Sequence, residues 1–132
     1  MTNHKQALLI SLFILGWCGA LLIESSQPPL PILGKVYGLD KVAHFLAFTV
    51  LGLMICTLSF KLSPRATLQL FSMPLLIVTL VGILEESYQM LIPGRNSDLL
   101  DLLADICGGL FAMILANVMA HFIRSSNRIS LD

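Results

Sequence analysis

Charge is what this sequence has least of. Of its 132 residues, 12% are charged, about half the roughly 25% of an ordinary soluble domain. Neither sign prevails: eight basic residues stand against eight acidic ones, for a formal net charge of zero. No basic excess points to nucleic acid. Cysteine is scarce too. Cys18, Cys56 and Cys107 each lie inside an apolar run, and three scattered thiols make neither a disulfide framework nor a zinc motif. They read as small buried side chains. Hydrocarbon fills the room that charge leaves: hydrophobic residues reach 56% and the mean hydropathy is +0.85. So short a chain is read as a single domain, residues 1–132, and a small globule cannot hide that much apolar surface from water. The composition excludes a soluble enzyme, a disordered tail and a disulfide scaffold, and leaves a polytopic membrane protein.

Four apolar runs follow, at residues 7–23, 42–60, 68–84 and 99–123. Each is near the roughly 20 residues that cross a bilayer as a helix. The first is long for the core of a secretory signal, and no small-residue cleavage pattern closes it. Pro74 lies inside the third, where a membrane helix tolerates it as a kink. Pro28, Pro29, Pro31, Gly34 and Gly38 mark a loop after the first run, with Glu24 and Lys35 read as ordinary loop charges. A short turn is expected from Lys61 to Arg65, and Pro93–Gly94 breaks the chain before the fourth run. A β-barrel would need short alternating strands, which this pattern lacks. The expected fold is all-α, an integral membrane bundle of four transmembrane helices.

Lysine and arginine placement orients it. With both termini in the cytoplasm, Lys5, Lys61, Arg65, Arg124 and Arg128 lie inside, and Lys35, Lys41 and Arg95 outside. The expected location is therefore the bacterial inner membrane, multi-pass, with both termini cytoplasmic.

The few charges are concentrated. Asp40, Lys41 and His44 open the second run, Glu85, Glu86 and Gln89 close the third, Arg95 and Asp98 lie between the third and fourth, and Asp101 and Asp105 open the fourth. Alternating helices bring all of these to one end of a bundle. At about 100° per residue, His44 falls between Asp40 and Lys41, and Asp98, Asp101 and Asp105 form one stripe. Below it run Ala104, Gly108, Ala112, Ala116 and Ala120, a small-residue ridge that admits a close neighbour. Ionisable residues at membrane depth are costly and mark functional candidates. The candidate polar site is Asp40, Lys41, His44, Glu86, Gln89, Arg95, Asp101 and Asp105. Asp98 also suits a helix N-cap, and Glu85 reads as a solvated helix-end charge. So many acids persist in a low dielectric only with protonation, pairing or a bound cation. No tight metal-ligand motif is present, so no cofactor is assigned; paired carboxylates with a histidine leave a divalent cation open. Arg95 offers a bidentate fork to phosphate or carboxylate, and Lys41 a point charge.

The segments DKVAHFLAFTVLG at 40–52 and EESYQMLIPGRNSDLLDLLADICGG at 85–109 resemble the VanZ-like membrane family. The shared pattern, D-K-x-x-H, E-x-x-Q, a nearby Arg and D-x-x-x-N-x-x-G, falls on Asp40, Lys41, His44, Glu86, Gln89, Arg95, Asp101, Asp105 and Gly108, with Asp105 where the family commonly has Asn. The resemblance implies a bacterial integral membrane protein, in a family whose namesake is linked to resistance to the glycopeptide teicoplanin. Two functions are carried forward: a pocket binding an anionic envelope lipid or cell-wall precursor, and a membrane enzyme acting on such a precursor, with His44 and Glu86 in acid–base roles. The bilayer is the expected surrounding, a homo-oligomer stays open, and nucleic acid is excluded as a partner.

Overall fold

The computed structural model describes residues 3–28, 36, 38–62 and 69–129. The described residues form four helices: α1 (Asn3–Ser25), α2 (Leu39–Leu62), α3 (Gln69–Gln89) and α4 (Leu99–Ile129). Each apolar run closes its backbone hydrogen bonds internally, as a segment without water must. Three helices have the length and hydropathy to cross a membrane: α1, α2 and the Leu99–Ile123 portion of α4. Helix α3 carries Pro74 and, in its last turns, Glu85 and Glu86. The expected loop at 29–35 and the turn at 63–65 lie outside the described residues.

The helices overrun the apolar runs at their polar ends. Glu24 sits in the last turn of α1, not in the loop where the sequence suggested it. Asp40 and Lys41 belong to the first turn of α2, and Glu85, Glu86 and Gln89 to the end of α3. Capping places the start of α4. Asp98 Oδ1 accepts the Leu100 N–H at 2.9 Å, satisfying one of the orphan donors of a helix N-terminus. Gly94 makes the turn before it with φ of 85°, a region open to glycine without strain.

Helices α2 and α4 run parallel, with α3 antiparallel to both. The register is fixed by Lys41 against Asp98 and Asp101, His44 against Asp105 and Thr49 against Gly108. Glycine permits the closeness. A Cβ on Gly108 would collide with the Phe45 carbonyl oxygen, and one on Gly52 would stand 2.7 Å from the Ala112 Cβ. Gly108 and Ala112 are buried, whereas Ala104, Ala116 and Ala120 are half-buried. The apolar core is Phe48, Leu51, Ile55 and Val78, and α1 leans on it through Ile14, Trp17, Cys18 and Leu21. Trp17 Nε1 donates to the Ala47 carbonyl at 3.1 Å. Among the described side chains the outward faces of the helices are apolar over their middle stretches, with Leu12, Phe13, Leu46, Leu80 and Phe122 exposed. In water such a continuous surface is an aggregation liability; in lipid it is the required exterior.

Candidate functional site

The C-terminal ends of α1 and α3 and the N-terminal ends of α2 and α4 meet at one end of the bundle. On the α2–α4 side, Lys41 Nζ lies 2.9 Å from Asp40 Oδ2 and 2.8 Å from Asp101 Oδ1, and it also pairs with Asp98. The Lys41 ammonium holds the Asp98 carboxyl, in the loop ahead of α4, below the usual carboxylate range. One turn further along, His44 Nδ1 lies 3.0 Å from Asp105 Oδ1. That contact leaves Nε2 as the ring nitrogen not engaged by Asp105.

On the α1–α3 side, Ser25 Oγ donates to Glu85 Oε1 at 2.7 Å, and Gln89 Nε2 donates to Ser25 Oγ at 3.4 Å. Glu86 links α3 to α4, because its Oε2 accepts the Asp98 backbone N–H at 2.9 Å. Arg95 closes the end of the bundle from the loop. Its Nη2 lies 2.8 Å from both the backbone carbonyl and Oε1 of Glu24, and its Nε donates to the Gln27 carbonyl at 2.8 Å.

Between these groups lies a cavity of about 380 Å³. Its polar lining includes His44, Glu85, Gln89, Arg95 and Asp101, with Glu24, Asp40 and Asn96 beside them, and its apolar lining includes Leu21, Ala47 and Phe48. Several carboxylates around it are deeply buried: Glu85 is 3% exposed, Glu86 5%, Asp101 7% and Asp105 0%. Glu85 Oε2, Glu86 Oε1 and Asp105 Oδ2 have no hydrogen-bond partner.

The eight residues singled out from the sequence all lie at this end of the bundle, but their pairings differ from expectation in places. Arg95 pairs with Glu24 on α1, which the sequence read as an ordinary loop charge. Lys41 is shared among three aspartates rather than standing free for an anion. Glu85 is not a solvated helix-end charge; it is buried against Ser25. Sequence reasoning passed over Glu24, Glu85 and Ser25. Glu85 had a signal, since it precedes Gln89 by four residues and so shares its face. Ser25 had none, being a serine at a helix end like many others. Asn117 and His121 lie far along α4, with Asn117 bonded to the Met113 carbonyl and His121 edge-on to Phe122.

Apolar spans that enclose a polar end-cavity define the class: a multi-pass helical membrane protein. The VanZ/LLP1 family profile matches residues 2–120, and the chain belongs to that family. No curated protein and no solved structure matches it.

Proposed function

We propose that all four helices cross the inner membrane with both termini cytoplasmic, and that the cavity at the outer end binds the phosphate-bearing headgroup of a lipid-linked envelope precursor. The observation that supports this reading is the two-sided cavity: a polar wall containing Arg95 faces an apolar wall of Leu21, Ala47 and Phe48. An amphiphile at a membrane surface needs both, one for its headgroup and one for the start of its chain. Arg95 spends Nε and Nη2 on Glu24 and Gln27, which leaves Nη1 of its five-donor fork for a ligand. Glu24 is about half-exposed, with a side-chain accessibility of 49%, so a phosphate oxygen competes with it at modest cost. A fourth span requires Glu85 and Glu86 to lie inside the bundle rather than against lipid, and both are buried.

The enzymatic reading is favoured by one geometry, the His44–Asp105 pair beside the cavity, in which a carboxylate orients an imidazole. Against it, Ser25 is fully buried and tied to Glu85, so it offers no nucleophile to a ligand. Purified protein presented with undecaprenyl phosphate, undecaprenyl pyrophosphate and a neutral polyprenol separates the cases by native mass spectrometry and product analysis. Saturable binding of the phosphorylated lipids without product is the expected result. Product formation establishes the enzyme, and equal binding of the neutral lipid overturns the headgroup reading.

A further inference from the structure

We propose that His44, Glu86 and Asp101 bind a divalent cation at the polar end of the bundle, with Asp105 orienting the imidazole from behind. One ligand atom from each of the three residues lies within 4.8 Å of the other two. Two ligands at roughly 2.0–2.6 Å from one ion stand at most about 4–5 Å apart. The side chains therefore already have the spacing that an ion spans.

Two independent observations point to a ligand there. The first is the buried carboxylate oxygen Glu86 Oε1, which has no partner although Glu86 is 5% exposed. A buried oxygen without a partner loses its hydration with nothing in return, and a cation removes that loss. The second is the imidazole. Asp105 engages Nδ1, so Nε2 is the nitrogen left for a metal, which takes the place of any proton there, in the carboxylate–histidine–metal arrangement that fixes tautomer and ring angle together. Charge balance agrees. Glu85, Glu86, Asp101 and Asp105 are all buried, while Lys41 is divided among three aspartates and Arg95 is engaged by Glu24. The cavity, lined by His44 and Asp101, supplies the route inward. His44, Glu85 and Asp105 satisfy the same spacing, but Asp105 already holds the imidazole through Nδ1 and is given the orienting role. One imidazole among carboxylates suits cations that accept nitrogen and oxygen together, such as Mn²⁺ or Zn²⁺, over those that take oxygen alone.

The cation site stands on this cluster and not on the lipid reading. Its test uses the full chain in detergent, freed of metal by chelation, with Mn²⁺ as the probe and the free ion counted by solution electron paramagnetic resonance. The expected result is one saturable Mn²⁺ per chain. Glu86→Gln and His44→Ala each weaken it at least about tenfold, and Asp105→Asn weakens it about 10–100-fold. His121→Ala, at a histidine far along α4, binds as the wild type does. Pulsed resonance on the wild type shows ¹⁴N coupling from the imidazole, a signature that no loss of fold imitates. If His44→Ala does not fold, Glu86→Gln and the ¹⁴N coupling decide the matter. Absence of saturable Mn²⁺ binding, or bound Mn²⁺ without ¹⁴N coupling, overturns the proposal. No lipid enters the assay, so its outcome and that of the lipid-binding experiment are separable.

Discussion

His44 and Asp105 face each other across the seam between α2 and α4, with Nδ1 3.0 Å from Oδ1 at a point where Asp105 has no exposure. The pair joins the two parallel helices below the charged rim. By resemblance, Asn is common at position 105, and Asn keeps an oxygen that accepts the Nδ1–H. Asp105→Asn is therefore expected to melt within a few degrees of the wild type in detergent. Asp105→Leu leaves the imidazole N–H buried without an acceptor, at a cost of about 1–3 kcal/mol, and is expected to melt clearly lower. Equal melting of the two variants would show that this hydrogen bond carries no stability.

The α2–α4 seam makes a second prediction. The neighbour of Gly108 is backbone, the Phe45 carbonyl, and the Thr49 nitrogen lies 3.0 Å from where a Cβ would stand. Backbone cannot swing aside as a side chain does, so even Gly108→Ala forces the helices apart, at about 1–3 kcal/mol for overpacking. Gly108→Leu and Ala112→Leu are expected to fail further. Val118→Leu, on an exposed face, is expected to stay within about 0.5 kcal/mol. Thermal unfolding in one detergent checks the series.

Arg95 makes the third. Its side chain is 9% exposed and its carboxylate partner Glu24 49%, so screening keeps the ion pair itself below about 1 kcal/mol. The two carbonyls it also holds, of Glu24 and Gln27, are hydrogen bonds to a charged group, typically about 1.5–3 kcal/mol each. Arg95→Ala is therefore expected to destabilise the protein more than Glu24→Gln. A double-mutant cycle is expected to show coupling for Arg95 with Glu24 and additivity for Arg95 with Glu86. Coupling in the second pair and not the first would contradict the geometry.

Orientation is the fourth. In a background with Cys18, Cys56 and Cys107 replaced, Asn96→Cys is expected to react with an impermeant maleimide in intact cells, and Ser63→Cys is expected not to. Asn96 is the better outer reporter than Gly94, whose positive φ makes any side chain strained. The reverse labelling pattern would invert the topology.

The helices were legible because hydropathy acts over whole runs: about 20 apolar residues without charge have few alternatives to a helix in lipid. Their ends were less so. Glu24, Asp40 and Glu85 look like punctuation to a hydropathy scan, yet each lies inside its helix. A carboxylate at a helix end reads as solvated unless its partner is known, and the partners of Glu24 and Glu85, Arg95 and Ser25, come from other helices or loops. The spacing of Asp98, Asp101 and Asp105 states that they share a stripe of α4. It does not state that Lys41 gathers Asp98 and Asp101 while Asp105 turns to His44, since that choice belongs to the register of α2 on α4.

That register has a consequence for how the protein is made. Because α2 and α4 are parallel, no hairpin can join them, and α3 runs back antiparallel to both before α4 begins. A nascent chain that has emerged only through α3 holds His44, Glu85 and Glu86 without Asp101 or Asp105. The Asp98 N–H that meets Glu86 belongs to the start of the last helix. Ser25, Glu85 and Gln89 can meet before α4 is made, but the contacts of Lys41 with Asp101, of His44 with Asp105 and of Glu86 with the Asp98 N–H cannot. A chain cut short before α4 keeps the first of these sets and lacks the second.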